Sequence, residues 1–349
     1  MLPCSPHTIY LSPYYLQHRQ HNTQKIMGSV SKEILHDVPP YIRVYKDGTI
    51  ERLVGTDVVP PTFDSVTGVT SKDLLISPKT AVSARLYRPP LTSTTQKLPL
   101  LIYFHGGAFC IASPSYPKYH RSLNNLVSES RVVAVSVDYR LAPEHPLPAA
   151  FHDAWDALRW VSSHVPGTGT GTDNWIKENV DFDRVFLAGD SAGATIAHHL
   201  AIRVGSKPDP GVAFKISGII LINPYFWGKD PIGSEVKDSM RKTMVDNWWQ
   251  FVCPPDSRLG LDDPLINPVG DGAPDLSGLG CGRVMVTVAE KDILRDRGCL
   301  YYERLVKSKW EGKAEMMEIE GEDHVFHIFN PDGDKAVNMM KRLATFINQ

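Results

Sequence analysis

Five short, nearly continuous apolar runs constrain this chain more than anything else in it: Leu98–Phe104, Val132–Val137, Val185–Ala188, Ile216–Ile222 and Val284–Val288. They are rich in β-branched residues and lack the apolar–polar alternation of a strand with one wet face. Strands of this kind are covered on both faces, as in a parallel sheet sandwiched between helices. Stretches that read as helices fall between and after them, at Ala149–His164, Ala192–Val204, Asp296–Lys307 and Lys335–Ile347. Strand–helix alternation predicts an α/β fold with a mostly parallel sheet and helices on both faces.

Ahead of these runs, Tyr41–Tyr45 and Thr49–Leu53 alternate with period two around Lys46-Asp47-Gly48. That pattern predicts a hairpin, and so a sheet that opens with antiparallel strands. Two further strand-like pieces lie near Leu74–Ile76 and Val82–Tyr87. About sixty residues between Ile222 and Val284 carry no strong strand. Within them Met240, Met244, Trp248 and Phe251 recur at helical spacing, with Trp249 beside them. Such a stripe serves either as a core-packing face or as part of a lid over an apolar pocket.

The 349 residues carry a formal net charge of −2. Near balance offers nothing to a phosphate backbone or an anionic membrane, so neither nucleic acid nor membrane is expected as a partner. No run reaches the roughly 18 apolar residues of a transmembrane helix. Cys4, Cys110, Cys253, Cys281 and Cys299 are odd in number and scattered, without zinc spacing. Reduced thiols in a cytosol-like compartment are therefore expected, and no metal or cofactor. Residues 1–26 contain Arg19 and Lys25 but no acid. They read as a disordered extension ahead of a start at Met27, or as a transit peptide that would send the chain to a plastid. Residues 27–349 read as one catalytic unit. Pro166–Thr172 is glycine-rich but lacks the Lys-Ser/Thr ending of a phosphate-binding loop.

Chemistry-bearing residues cluster where the strands end. Gly189-Asp-Ser-Ala-Gly193 follows one strand and opens a helix. A sharp strand-to-helix turn pushes a serine out of the sheet as a nucleophile, and small neighbours allow the bend. His105-Gly-Gly-Ala-Phe109 follows another strand. Gly106, Gly107 and Ala108 on this side, and Ala192 on the other, are the expected N–H donors to an oxyanion. Serine needs a base, and the base needs an orienting carboxylate. Asp292 lies just past a strand, with Glu290 and Asp296 as rivals. His324 and His327 follow the strand-like Glu315–Ile319. His324 comes first after it and is the preferred base, while His327 reads as a packing residue. His198 and His199 fall inside the helix after Ser191, where surface or core roles are the default. The chain order Ser191, Asp292, His324 is that of α/β-hydrolases.

Together with Asp138-Tyr-Arg-Leu-Ala-Pro-Glu144 and Val38-Pro-Pro-Tyr-Ile-Arg-Val-Tyr45, these motifs resemble plant carboxylesterases of the hormone-sensitive-lipase-like group. The resemblance runs from about Met27 to the C-terminus. It implies an eight-stranded α/β-hydrolase core, a cap made of the N-terminal segment and residues around 226–260, and Ser191, Asp292 and His324 as a catalytic triad. One departure is Ala108, where the common His-Gly-Gly-Gly has its third glycine. The implied activity is serine carboxylesterase action; the apolar, aromatic stripe and the near-neutral charge point to a small, uncharged, hydrophobic or phenolic ester as its substrate. The same group also contains lyases such as 2-hydroxyisoflavanone dehydratase, and the gibberellin receptor, a binding protein that lost the catalytic histidine. Ser191 and His324 favour the esterase over both.

Overall fold

The computed structural model describes residues 33–206, 211–254 and 256–349. The reading of residues 1–26, the start at Met27 and Cys4 all lie outside that range. Eleven strands are found among the described residues: β1 Ile34–Val38, β2 Ile42–Tyr45, β3 Ile50–Arg52, β4 Thr70–Ser77, β5 Val82–Arg88, β6 Leu98–Phe104, β7 Val133–Asp138, β8 Val180–Asp190, β9 Ile216–Ile222, β10 Arg283–Ala289 and β11 Lys313–Ile319. The helices are α1 Pro117–Ser130, α2 Ala149–Ser162, α3 Asn174–Asn179, α4 Ala192–Ser206, α5 Ser239–Val252, α6 Arg295–Lys307, α7 Phe326–Phe329 and α8 Asp334–Asn348. No helix among the described residues is long and apolar enough to cross a membrane.

Eight strands form one sheet in the order β11-β10-β9-β8-β6-β7-β5-β4. Pairing is parallel from β11 through to β7, and antiparallel for β5–β7 and β4–β5. Strand β6 shows why the apolar runs have no alternation. All seven of its residues are buried, yet Leu100, Ile102 and Phe104 join one core while Leu101 and Tyr103 join another. The first core is closed by α2, α4 and α6 through residues such as Ala154, Ala197 and Leu305. The second is closed by α1 and α8 through Leu123 and Phe346. Each Leu or Phe side chain among them, once removed from water, contributes about 1.5–3 kcal/mol before the entropy of ordering it is subtracted.

Three points differ from the sequence reading. The Tyr41–Leu53 hairpin does form, with Ile42 opposite Arg52, but it belongs to a separate three-stranded sheet β1-β2-β3. The main sheet opens antiparallel with β4 and β5 instead. The small sheet is tied down by side chains rather than by ladder bonds to the large one. Arg52 donates from Nε to the Cys110 carbonyl at 2.6 Å and pairs with Glu144. Second, α1 left no readable apolar stripe, because its buried face includes His120, Ser122, Asn124 and Ser130 beside three aliphatic side chains. Third, α5 exists where the stripe predicts, but its buried face is Val245, Trp248, Trp249 and Val252. Met240 is exposed, lying roughly 130° around the helix from that face at 100° per residue.

Candidate active site

The order of the strands decides which loops meet. Strand β8 lies between β6 and β9, so the turn after β8 sits beside the loop after β6, and Gly189 is in register with Phe104. At the turn, Ser191 has φ of 52°, in the left-handed region, and is buried. Its N–H donates to the Ile222 carbonyl at 2.8 Å, and its carbonyl accepts from Tyr225 N at 3.0 Å. Both neighbouring glycines are required by space. A Cβ on Gly193 would stand 1.9 Å from the Phe104 carbonyl oxygen, and one on Gly189 would stand 2.3 Å from the Gly193 carbonyl carbon. Helix α4 begins at once, which places the positive end of its dipole behind the serine.

Asp292 follows β10 and is almost fully buried. Leu294 N donates to its Oδ1 at 2.9 Å, leaving Oδ2 to face His324 Nδ1 at 2.7 Å. A carboxylate only accepts, so Nδ1 carries the proton and Nε2 keeps a free lone pair. Ser191 Oγ lies 2.9 Å from that Nε2, in position to donate to it. Loss of water pulls the His324 imidazole down, but the charge and hydrogen bond of Asp292, with Asp323 and Asp190 further off, hold it above its ordinary value of 6.5.

The expectation of backbone donors in the loop after β6 takes one correction. The Gly106 N–H is spent: it donates to Tyr119 Oη at 2.8 Å and to Asp190 Oδ1 at 3.2 Å. Tyr119 Oη in turn donates to Asp190 Oδ2 at 2.7 Å, and Tyr103 Oη donates to Oδ1 at 2.7 Å. Gly106 is therefore an anchor of the loop and not a free donor. The N–H groups of Gly107, Ala108 and Ala192 donate to no protein acceptor among the described residues. Gly107, with φ of 100°, cannot be replaced: its Cβ would stand 2.3 Å from the Ile111 carbonyl oxygen. Ala108 itself sits at φ of 50°, a conformation that glycine adopts more easily. The Asp190–Tyr119–Tyr103 brace went unread in the sequence, where only Asp190 lay in a recognised motif.

The rival residues are occupied elsewhere. Glu290 accepts from Gly321 N at 2.6 Å, and Asp296, in α6, accepts from Ser234. His327 is fully buried in α7, where burial pushes its imidazole down to about 3. His198 Nδ1 meets Tyr301 Oη at 3.0 Å, and His199 Nε2 meets the Leu265 carbonyl at 3.0 Å. Both belong to the core packing of α4.

A family model described as having the alpha/beta hydrolase fold matches residues 101–328, well over half of the chain. The chain belongs to this family. Among its α/β-hydrolase relatives, a protein of Arabidopsis thaliana named "Probable carboxylesterase 2" is 56% identical over 323 residues, covering 93% of this chain and 99% of that one. The 2-hydroxyisoflavanone dehydratase of Glycyrrhiza echinata is 46% identical over 322 residues, covering 91% and 98%. A solved esterase of Pyrobaculum calidifontis superposes with a TM-score of 0.65 at 30% identity, covering 79% of this chain and 84% of that one.

Proposed function

We propose that this carboxylic ester hydrolase works through a covalent acyl-enzyme on Ser191. The observation that carries the reading is the continuous chain of short hydrogen bonds from Ser191 Oγ through His324 to Asp292. As Ser191 Oγ attacks the ester carbonyl carbon, its proton passes to His324 Nε2. Asp292 holds the imidazole in the tautomer that can accept it and stabilises the imidazolium that forms. Negative charge developing on the carbonyl oxygen is met by the N–H groups of Gly107, Ala108 and Ala192, each donor lowering the barrier by about 3 kcal/mol. Collapse breaks the bond to the leaving alkoxide, which takes the proton from His324. Water, deprotonated by the same imidazole, then attacks the acyl carbon; the bond to Ser191 Oγ breaks, His324 returns the proton to that oxygen, and the acid leaves.

The substrate we infer is a small, uncharged, hydrophobic ester. Phe109 and Tyr225 support it: Tyr225 is bonded to the serine backbone, and the two rings stand 6.3 Å apart. Residues 27–349 form one unit in this reading, capped by the N-terminal segment and residues 226–260. Contacts between these parts support the cap. The Tyr41 ring lies 5.4 Å from that of Trp248, and Tyr225 Oη donates to the Val245 carbonyl at 3.3 Å. The dehydratase relative gives a second reading weight, in which the same residues remove a proton and release water. Product analysis separates the two, since hydrolysis yields an acid and an alcohol.

The test is turnover of p-nitrophenyl acetate as a function of pH. Only the neutral imidazole accepts the serine proton, so kcat/KM rises with pH through the His324 pKa. Because that pKa is held above 6.5, the midpoint of the acid limb falls above 6.5. Asp292→Asn removes the cause of the elevation: the limb moves to lower pH while kcat drops by about 10⁴-fold. A limb in the range of a free carboxylate, or one that Asp292→Asn leaves in place, contradicts the assignment.

A further inference from the structure

We propose that Arg241 is a positioning residue of the triad, fastening the loop that carries Asp292 to the loop that carries His324 from the first turn of α5. The proposal rests on the triad reading above. Asp238 caps α5 by accepting from Arg241 N at 2.9 Å, which fixes where the arginine side chain starts. From there the guanidinium reaches both loops. Nη1 donates at 2.8 Å to the carbonyl of Lys291, the residue before Asp292. Nη2 donates at 2.8 Å to Oδ1 of Asp323, the residue before His324. That same Oδ1 accepts the His324 N–H at 2.7 Å. One planar fork thus touches, on each side, a group adjacent to a triad residue, and a lysine's single point charge would not hold both directions at once.

Other bonds join the two loops: Lys291 N donates to the Glu322 carbonyl at 2.8 Å, and Gly321 N donates to Glu290. Arg241 differs from these because it comes from an element outside the sheet, 50 residues from Lys291 and 82 from Asp323. It therefore ties the geometry of acid and base to the seating of α5. Its charge also matters. The groups acting on His324 are Asp292, Asp323 and Asp190, which favour the imidazolium, and its neutral neighbour His327. Around them stand Arg241 with Asp238 on α5, and the Glu322–Lys335 pair reaching from α8. Arg241 is the cation paired with Asp323. Its removal leaves the Asp323 charge unopposed and favours the imidazolium further, so the acid limb moves to higher pH. The looser loops lower kcat with little change in KM.

Four variants test this: Arg241→Ala, Arg241→Lys, Asp323→Asn and the Arg241→Ala/Asp323→Asn double variant. The readouts are the labelling rate by a fluorophosphonate across pH, and kcat and KM for p-nitrophenyl acetate. Arg241→Ala is expected to slow labelling at neutral pH about fivefold, in the range for a partly exposed ion pair, and to raise the acid limb. Arg241→Lys recovers part of both effects. Asp323→Asn keeps the acceptor for His324 N–H but removes the anion that favours the imidazolium, so it moves the limb to lower pH, opposite to Arg241→Ala, and the double variant falls between the two. An unchanged limb and kcat in Arg241→Ala, or a limb that moves to lower pH in it, overturns the proposal. Attachment of the label distinguishes the two levels. Labelling at Ser191 with unaffected Arg241 variants refutes only the role of Arg241, whereas no labelling at Ser191 refutes the triad beneath it.

Discussion

Replacing Ser191 by alanine should lower kcat for p-nitrophenyl acetate by about 10⁴–10⁶-fold while leaving the protein folded. The expectation is this large because the substitution removes the proposed nucleophilic hydroxyl itself. Its Oγ bonds to His324 Nε2, whereas the strained backbone at φ of 52° is held by Ile222 and Tyr225 through main-chain bonds that alanine keeps. The N–H groups of Gly107, Ala108 and Ala192 also stay in place. What remains should be the slow hydrolysis that binding and oxyanion stabilisation alone support. Steady-state kinetics, with a thermal melt as the folding control, read the effect. A variant that melts normally and keeps more than about a hundredth of the wild-type kcat would refute the nucleophile, since removing a catalytic nucleophile costs far more.

The second large effect concerns stability, at the root of the excursion that carries α5. Glu235 is fully buried and accepts from Arg297 Nε at 2.7 Å, Arg297 Nη2 at 2.8 Å and Ile232 N at 3.0 Å. Arg297 is 6% exposed and also donates to the Asp230 carbonyl at 2.6 Å. The pair joins the segment before α5 to α6. Glu235→Ala leaves a buried guanidinium with carbonyl partners but no counter-charge, and should cost about 3–5 kcal/mol in urea unfolding. Glu235→Leu combined with Arg297→Met removes both charges and should recover most of that loss, because a buried pair contributes little net stability over a packed apolar one. A single-variant cost below about 1 kcal/mol, as for a surface pair, would show that the segment is held by something else.

The most legible residues were those whose identity is forced locally. Gly189 and Gly193 have no room for a Cβ, and both lie within two residues of Ser191, so the turn is written in five consecutive positions. The two-faced burial of β6 likewise shows as an unbroken apolar run. Asp292 and His324, which the structure brings within hydrogen-bond distance, each follow a strand within five residues, so their placement shows in the chain order. What stayed hidden depends on distant partners. Gly106 lies in the right motif, yet its N–H is claimed by Tyr119, 13 residues on, and Asp190, 84 residues on. Sheet membership of the Tyr41–Leu53 hairpin is not a property of its own alternation. Arg52 settles its seat through Cys110 and Glu144, 58 and 92 residues away. Helix α1 hid because its buried face is half polar, and its groups find partners only after folding, as when His120 Nδ1 meets Tyr87 Oη, 33 residues away, at 3.0 Å.

The central claim is that Ser191 is the atom that becomes covalently attached. Treatment with a fluorophosphonate, followed by proteolysis and mass spectrometry of the peptides, tests it without knowledge of the natural substrate. A single adduct on Ser191, lost in Ser191→Ala and slowed in His324→Ala but not in His327→Ala, is the predicted result. An adduct on another residue, or ester turnover by a protein that takes no label, would contradict it.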